Sequence, residues 1–278
     1  MNMDEGILSR PPITRSEIVA SLRALGVRFG SVVMVHTSIS SLGYVIGGAD
    51  SIVQALLETL GEQGTIMAYV GWEHDPGGFT DWPECVRSAY RNDPPVFEVA
   101  LSEGAREFGR LPERIRTWPG ALRSSHPEAS VTAIGARAKW ITADHPWHHP
   151  YGLASPLAKL CDVEGDVLLL GAPLETLTIL HHAEELAHVA DKKQVMYETP
   201  VRTEKGIEWR EIHDIDTGTG ALEYEKLALR VDAFEAIARH AFGSNLGRHA
   251  RIGESDSFLF PAPNLVHFAV RWLEQRFG

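Results

Sequence analysis

The sequence predicts an α/β fold with a mixed central sheet flanked by helices. Three observations carry that prediction. Short apolar runs at 31–36, 65–70 and 166–170 are rich in Val, Ile and Leu and read as strands buried on both faces. Stretches with helical periodicity lie between them, as at 15–25 and 50–60. The alternation is that of strand, helix and strand joined by right-handed crossovers.

Each element has a local reason. Thr14, Arg15, Ser16 and Glu17 form a capping box. The helix it opens turns Ile18, Leu22 and Leu25 inward and stops at Gly26. The Gly47-Gly48 turn precedes the helix at 50–60. Residues 71–97 carry Gly, Pro, Asp and several aromatics without clean periodicity, and 98–116 read as helical. This helical and loop insertion, 71–116, is expected to form a lobe beside a functional site. After the Trp118-Pro119-Gly120 turn come a strand at 130–134 and a short helix at 136–143. A helix follows at 176–190, then an antiparallel pair, 194–202 with 207–215, around Lys205-Gly206. A helical stretch at 221–241, a strand at 257–260 and a helix at 264–277 close the chain. No repeat, low-complexity tract or linker interrupts this order. Residues 1–278 are therefore read as a single domain whose first 14 or so residues form an extended segment.

Composition narrows the partners. With 278 residues and 44% hydrophobic content the chain can bury a large core. A net charge of −11 argues against nucleic acid, because phosphate binding needs a basic stripe, and favours a cationic partner. Cys85 and Cys161 are far apart and in no metal-binding spacing, which fits a reducing compartment. The polar, acid-containing segment 1–10 reads as neither signal nor transit peptide, and the apolar runs are too short to span a bilayer. A soluble, cytoplasmic protein with no membrane contact is expected. His145, His148 and His149 lie in a proline-flanked run without regular spacing or a nearby cysteine. No metal is expected there, and the run reads as a packed loop beside the active site. The chain shows no P-loop, dinucleotide fingerprint or nucleophile elbow.

Chemistry concentrates in three segments. In Thr178-Ile179-Leu180-His181-His182-Ala183-Glu184-Glu185, His181 precedes Glu184 by three residues and Glu185 by four, spacings that share one helix face. An imidazole steadied by a carboxylate is a minimal general base. The spacing leaves open which glutamate orients it. His182, about 100° round the helix, reads as a packed histidine. Val35-His36-Thr37-Ser38 ends a buried strand with hydrogen-bonding side chains, and Arg123-Ser124-Ser125-His126-Pro127 places polar groups in a turn. A proton-moving enzyme with an anionic cofactor is the reading these residues support.

In order and separation the three segments resemble the aminoglycoside 3-N-acetyltransferases. The likeness runs over roughly residues 15–278. It includes Tyr69-Val70-Gly71-Trp72-Glu73-His74-Asp75, Ala154-Ser155-Pro156-Leu157, the 167–174 run, Ser257-Phe258-Leu259-Phe260 and the closing Trp272-Leu273-Glu274. The resemblance implies transfer from acetyl-CoA to the 3-amino group of the 2-deoxystreptamine ring of aminoglycoside antibiotics, and so resistance. It places the base at His181 and its acid at Glu184. It assigns His36, Thr37 and Ser38 to coenzyme A, and Arg123, Ser124 and His126 to the pantetheine arm. Trp72, Glu73 and Asp75 match the substrate loop, with Asp216 and Glu185 as further substrate-side acids. Asp81, Glu84, Glu98 and Asp214 are other acids in loops or strand ends. Two departures stand out. Relatives often carry Lys or Arg at the place of Ser40, and Phe-Asp-Pro where this chain has Phe97-Glu98-Val99. The competing readings are an acyltransferase of the same fold acting on another amine, a metal-dependent hydrolase, and an acidic binder of cationic drugs. The drug range and oligomeric state are not legible in the sequence.

Overall fold

The computed structural model describes residues 11–76 and 82–278. Three parallel strands form the centre of a seven-stranded sheet. They are β1 (Val32–Thr37), β2 (Thr65–Tyr69) and β5 (Asp166–Leu170), with β1 in the middle. Outside β2, strands β4 (Val131–Gly135) and β3 (Leu122–Arg123) continue antiparallel. Outside β5 lie β9 (Ser255–Pro261) and β8 (Arg248–Ile252), also antiparallel. The predicted mixed sheet flanked by helices is present. A separate hairpin pairs β6 (Gln194–Thr203) with β7 (Gly206–Ile215).

The central strands are apolar because both faces are covered. Val33 and Val35 point into one core cluster while Val32 and Met34 point into the other, and β5 divides in the same way. Helix α1 (Arg15–Leu25) and helix α2 (Gly48–Leu60) cover the first face. Thr14 and Glu17 form the predicted capping box on α1, and Gly26 closes it in the left-handed conformation.

The insertion differs from its sequence reading. Residues 84–92 form a helix, α3 (Glu84–Asn92), where no periodicity showed. Its apolar residues, Cys85, Val86, Ala89 and Tyr90, share a face, but the helix is short and none of its residues is buried; Glu84 accepts from Arg87 and Ser88. Of the predicted helical 98–116, only a 3₁₀ turn at Arg106–Phe108 and α4 (Arg110–Arg116) form, separated by Gly109 at φ 84°.

The other face carries the remaining helices. They are α5 (Ala138–Thr142), α6 (Pro156–Asp162), α7 (Ile179–Leu186), α8 (Ala233–Gly243) and α9 (Ala262–Phe277). Strands β3 and β8 and helix α6 were not predicted. Helix α7 is shorter than the expected 176–190, because Ala187 is extended. The expected helix 221–241 is broken. A 3₁₀ turn, Tyr224–Leu227, ends at Ala228 in the left-handed conformation, and Asp232 then caps α8. Among the described residues no helix is long and apolar enough to cross a membrane. Asp81 and residues 1–10 lie outside the described residues.

Candidate active site

The carboxyl ends of β1 and β5 meet at one cleft, as they do where open α/β sheets bind ligands. Gly171 lets them meet. It follows β5 at φ 66°, and a Cβ there would lie 2.7 Å from Ser41 Oγ and 2.9 Å from Leu42 Cδ2. The Ser41 hydroxyl ties both turns by lying 2.8 Å from the Ser38 carbonyl and 2.6 Å from that of Gly171. The cleft holds about 760 Å³ and is lined by His36 to Ser40, Phe108, Arg110 and, on α7, His181.

Helix α7 buries Ile179, Leu180 and Ala183 in the core, which turns His181 toward the cleft. Its ring sits between Tyr151 and Phe234, with centroids at 5.1 and 4.9 Å, and its side chain is 20% exposed. Nδ1 lies 2.7 Å from Glu184 Oε2, and the Glu184 side chain is 1% exposed. Glu184 is thus the carboxylate at the ring. Glu185 turns away, with Oε1 3.0 Å from His149 Nδ1. His182 is a packed histidine whose Nδ1 lies 2.6 Å from the Tyr151 carbonyl.

At the inner end of the cleft His36 Nε2 and Thr37 Oγ1 are buried without a hydrogen-bond partner among the described residues. Burial holds the His36 imidazole down to about 4, so it is neutral at physiological pH. Such atoms fit a ligand rich in carbonyl and amide groups. Ser38 and Ser40 face each other, hydroxyls 3.5 Å apart, farther along the cleft. Arg110 is the one Lys or Arg lining it, and among the described residues its side chain has no ion pair or hydrogen bond.

Arg123, Ser124 and His126 are not among the residues that line the cleft. Arg123 Nε donates to Ser130 Oγ at 3.1 Å, and its other nitrogens donate to the Ser102 and Gly71 carbonyls. Burial first, and Arg116 second, lower its pKa to about 10. The Ser124 hydroxyl accepts from Val131 N–H and contacts His145 Nδ1, each at 2.9 Å. His126 Nδ1 accepts from Ala129 N–H at 2.9 Å, so burial and then His145 hold its ring neutral, down to about 3.

The residues expected on the substrate side divide. Trp72 is buried against Phe97, centroids 5.7 Å apart. Glu73 pairs with Arg106 at 3.3 Å. Asp216 accepts from Gly218 and Thr219 in its own turn. Burial alone would raise its carboxyl, but those bonds hold it below the usual range. Asp75 instead joins a buried group around Tyr69, whose hydroxyl is pushed up by burial and by the charges of Glu128, Asp75 and Asp214. Asp214 is pushed up to about 8, by burial first and the Glu128 charge second. Tyr197 donates to Glu128, and the Tyr69 and Tyr151 hydroxyls lie 2.8 Å apart. The Glu128 carboxyl is itself raised by burial, while His181 acts to lower it. The acids and tyrosines therefore gather on the His181 side of the sheet.

Several of these groups escape sequence reasoning. Glu128 is one glutamate in a turn, and Tyr151 follows the His145–Pro150 loop. Tyr224 lies in the broken 221–241 stretch. Tyr69 and Asp75 were visible in the 69–75 motif, and Asp214 as an acid at a strand end. Among the described residues no three His, Cys, Asp or Glu side chains are placed together to hold a metal ion.

Fold and site define an enzyme whose carboxylate-steadied histidine faces a cleft at the carboxyl ends of the parallel central strands. The family described as aminoglycoside 3-N-acetyltransferase matches residues 34–274. Aminoglycoside N(3)-acetyltransferase IX of Micromonospora chalcea is 46% identical, over 95% of each chain. The crystal structure of aminoglycoside acetyltransferase AAC(3)-Xa superposes with a TM-score of 0.95 at 41% identity, covering 99% of this chain and 98% of the other. AAC-IIIb in binary complex with CoASH gives 0.88 at 41%, covering 96% and 98%. This chain belongs to the aminoglycoside 3-N-acetyltransferase family.

Proposed function

We propose that this enzyme moves the acetyl group of acetyl-CoA to the 3-amino group of the 2-deoxystreptamine ring of aminoglycosides, within a ternary complex. The observation that carries the reading is the His181–Glu184 pair at the end of a cleft that can seat an extended ligand. Acetyl-CoA supplies an activated acetyl thioester and a thiol leaving group. His36 and Thr37 offer buried hydrogen-bonding atoms for its amide-rich arm, and Arg110 offers a cation for its phosphates. The relative in binary complex with CoASH supports acetyl-CoA as the cosubstrate.

His181 works through Nε2. With Nδ1–H donated to Glu184, Nε2 keeps its lone pair and takes a proton from the incoming amine. Glu184 then stabilises the imidazolium. Asp75 and Glu128 hold ammonium groups of the acceptor away from the reacting nitrogen, while Asp214, which keeps its proton up to about 8, offers a neutral hydrogen-bonding group beside them. Trp72 braces the loop from behind, and Glu73, Asp216 and Glu185 shape the acceptor side through Arg106, the 216–219 turn and His149. Arg123, Ser124 and His126 support the floor beneath both ligands. Acetylation removes a positive charge and hydrogen-bond donors from the drug, which accounts for resistance.

The test is thiol release from acetyl-CoA with gentamicin or kanamycin, followed by assignment of the acetylated nitrogen by NMR. N3 acetylation supports the reading. Turnover confined to simple amines would point to the same-fold acyltransferase instead. Drug loss without thiol release, abolished by a chelator, would point to a metal-dependent hydrolase.

A further inference from the structure

Glu184 has two hydrogen-bond donors, and only one of them is His181. Its Oε2 meets His181 Nδ1 at 2.7 Å, and its Oε1 accepts the Tyr224 hydroxyl at 2.6 Å. Tyr224 comes from the 3₁₀ turn Tyr224–Leu227, not from α7. Its ring is fixed edge-on against Phe277 of α9, centroids 5.6 Å apart, and its backbone N–H bonds the Leu222 carbonyl. Glu184 and Tyr224 line a recess of about 510 Å³ on the far side of His181. Without the phenol, the second carboxylate oxygen would face that recess.

The direction of each hydrogen follows. Burial, and then the charge of Glu184, push the Tyr224 hydroxyl well above its ordinary pKa, so it stays protonated. Glu184 is its one hydrogen-bond partner among the described residues, so the hydroxyl donates. A donor on Oε1 favours the ionised carboxylate, and an ionised Glu184 accepts the hydrogen of His181 Nδ1 at Oε2. The remaining ring nitrogen, Nε2, is left with its lone pair.

We infer that Tyr224 is a positioning residue that fixes the tautomer of His181 through Glu184. The inference rests on His181 being the general base. Removing the phenol takes a donor from an anionic group, so the His181–Glu184 pair binds a proton more tightly. Other charges act on the same groups. Glu128 acts on His181, Lys192 and Asp214 act on Glu184, and Asp232 acts on Tyr224. His182 and Glu185 share α7, Glu175 and Glu225 line the recess, Glu223 precedes the turn and Lys226 lies within it. All of them are common to the enzyme and the variant, so the difference between the two isolates one hydroxyl.

The experiment is the pH dependence of kcat/KM for Tyr224→Phe, which keeps the ring against Phe277. The acid limb should move to higher pH by about one unit, lowering activity near pH 6.5 roughly tenfold while sparing it above the limb. Both KM values should stay within about twofold, because the residue touches neither substrate. In a Glu184→Gln background the same change should have no further effect. Should Tyr224→Phe fold poorly, 3-fluorotyrosine at position 224, a stronger donor, should move the limb the other way. An equal loss at every pH with an unmoved limb, an unchanged profile, or an undiminished effect in the Glu184→Gln background overturns the inference. Full activity in His181→Ala would instead overturn the general-base reading on which it rests.

Discussion

The Arg123 guanidinium donates to the carbonyl oxygen of Gly71, fifty-two positions earlier in the chain. It also donates to Ser102 and lies over the Phe97 ring at 4.6 Å, so one buried side chain joins the start and the middle of the 71–116 insertion to β3. Arg123→Ala leaves two buried carbonyls without that donor. A loss of about 2–4 kcal/mol of stability is expected, with KM for both substrates rising together. Chemical denaturation and two-substrate kinetics check this. A rise in KM for acetyl-CoA alone, without destabilisation, would put Arg123 on the pantetheine arm.

Asp214 makes stability depend on pH. Its carboxyl sits at about 8 in the folded chain against an ordinary 3.8, because of burial first and Glu128 second. Between those values the folded state binds more protons than the unfolded state, so stability falls as pH rises through that window. Wild-type Tm should drop between pH 6 and pH 9 by more than that of Asp214→Asn. Parallel melting curves for the two proteins would contradict the assignment.

Arg110 should read the charge of the cosubstrate. Arg110→Ala is expected to raise KM for acetyl-CoA roughly five- to thirtyfold and to weaken its salt dependence, with little effect on acetyl-pantetheine, which lacks the nucleotide phosphates. Steady-state kinetics with both donors decide the point. Equal effects on the two donors would place Arg110 elsewhere than at a phosphate.

The two glutamates after His181 should separate by mutation. Glu184→Gln is expected to reduce kcat more than Glu185→Gln, since only Glu184 meets Nδ1. A larger loss from Glu185→Gln would reassign the orienting acid.

The sheet was legible because β1, β2 and β5 are covered on both faces and so spell continuous apolar runs. The His181 helix was legible because three-residue spacing survives any tertiary setting. Helix α3 was not, since it buries nothing, and the break at Ala228 was not, since a left-handed alanine leaves no composition signal. The resemblance singled out Glu184, and the fold gives the reason the spacing alone lacks: Tyr224 comes in beneath it from another element while His149 draws Glu185 away. The buried grouping of Glu128, Asp214 and three tyrosines was hidden for the same reason. It is assembled from β2, the turn before β4, the loop before α6 and the β6–β7 hairpin, and no short window contains it.

The central claim is that His181 removes the proton from the reacting amine. Thiol release by His181→Ala, measured at saturating acetyl-CoA and aminoglycoside, tests it most directly. The account predicts a fall in kcat of about 10²–10⁴ with coenzyme A binding by calorimetry nearly unchanged. A variant that keeps more than roughly a tenth of wild-type kcat contradicts it and moves the base to another residue.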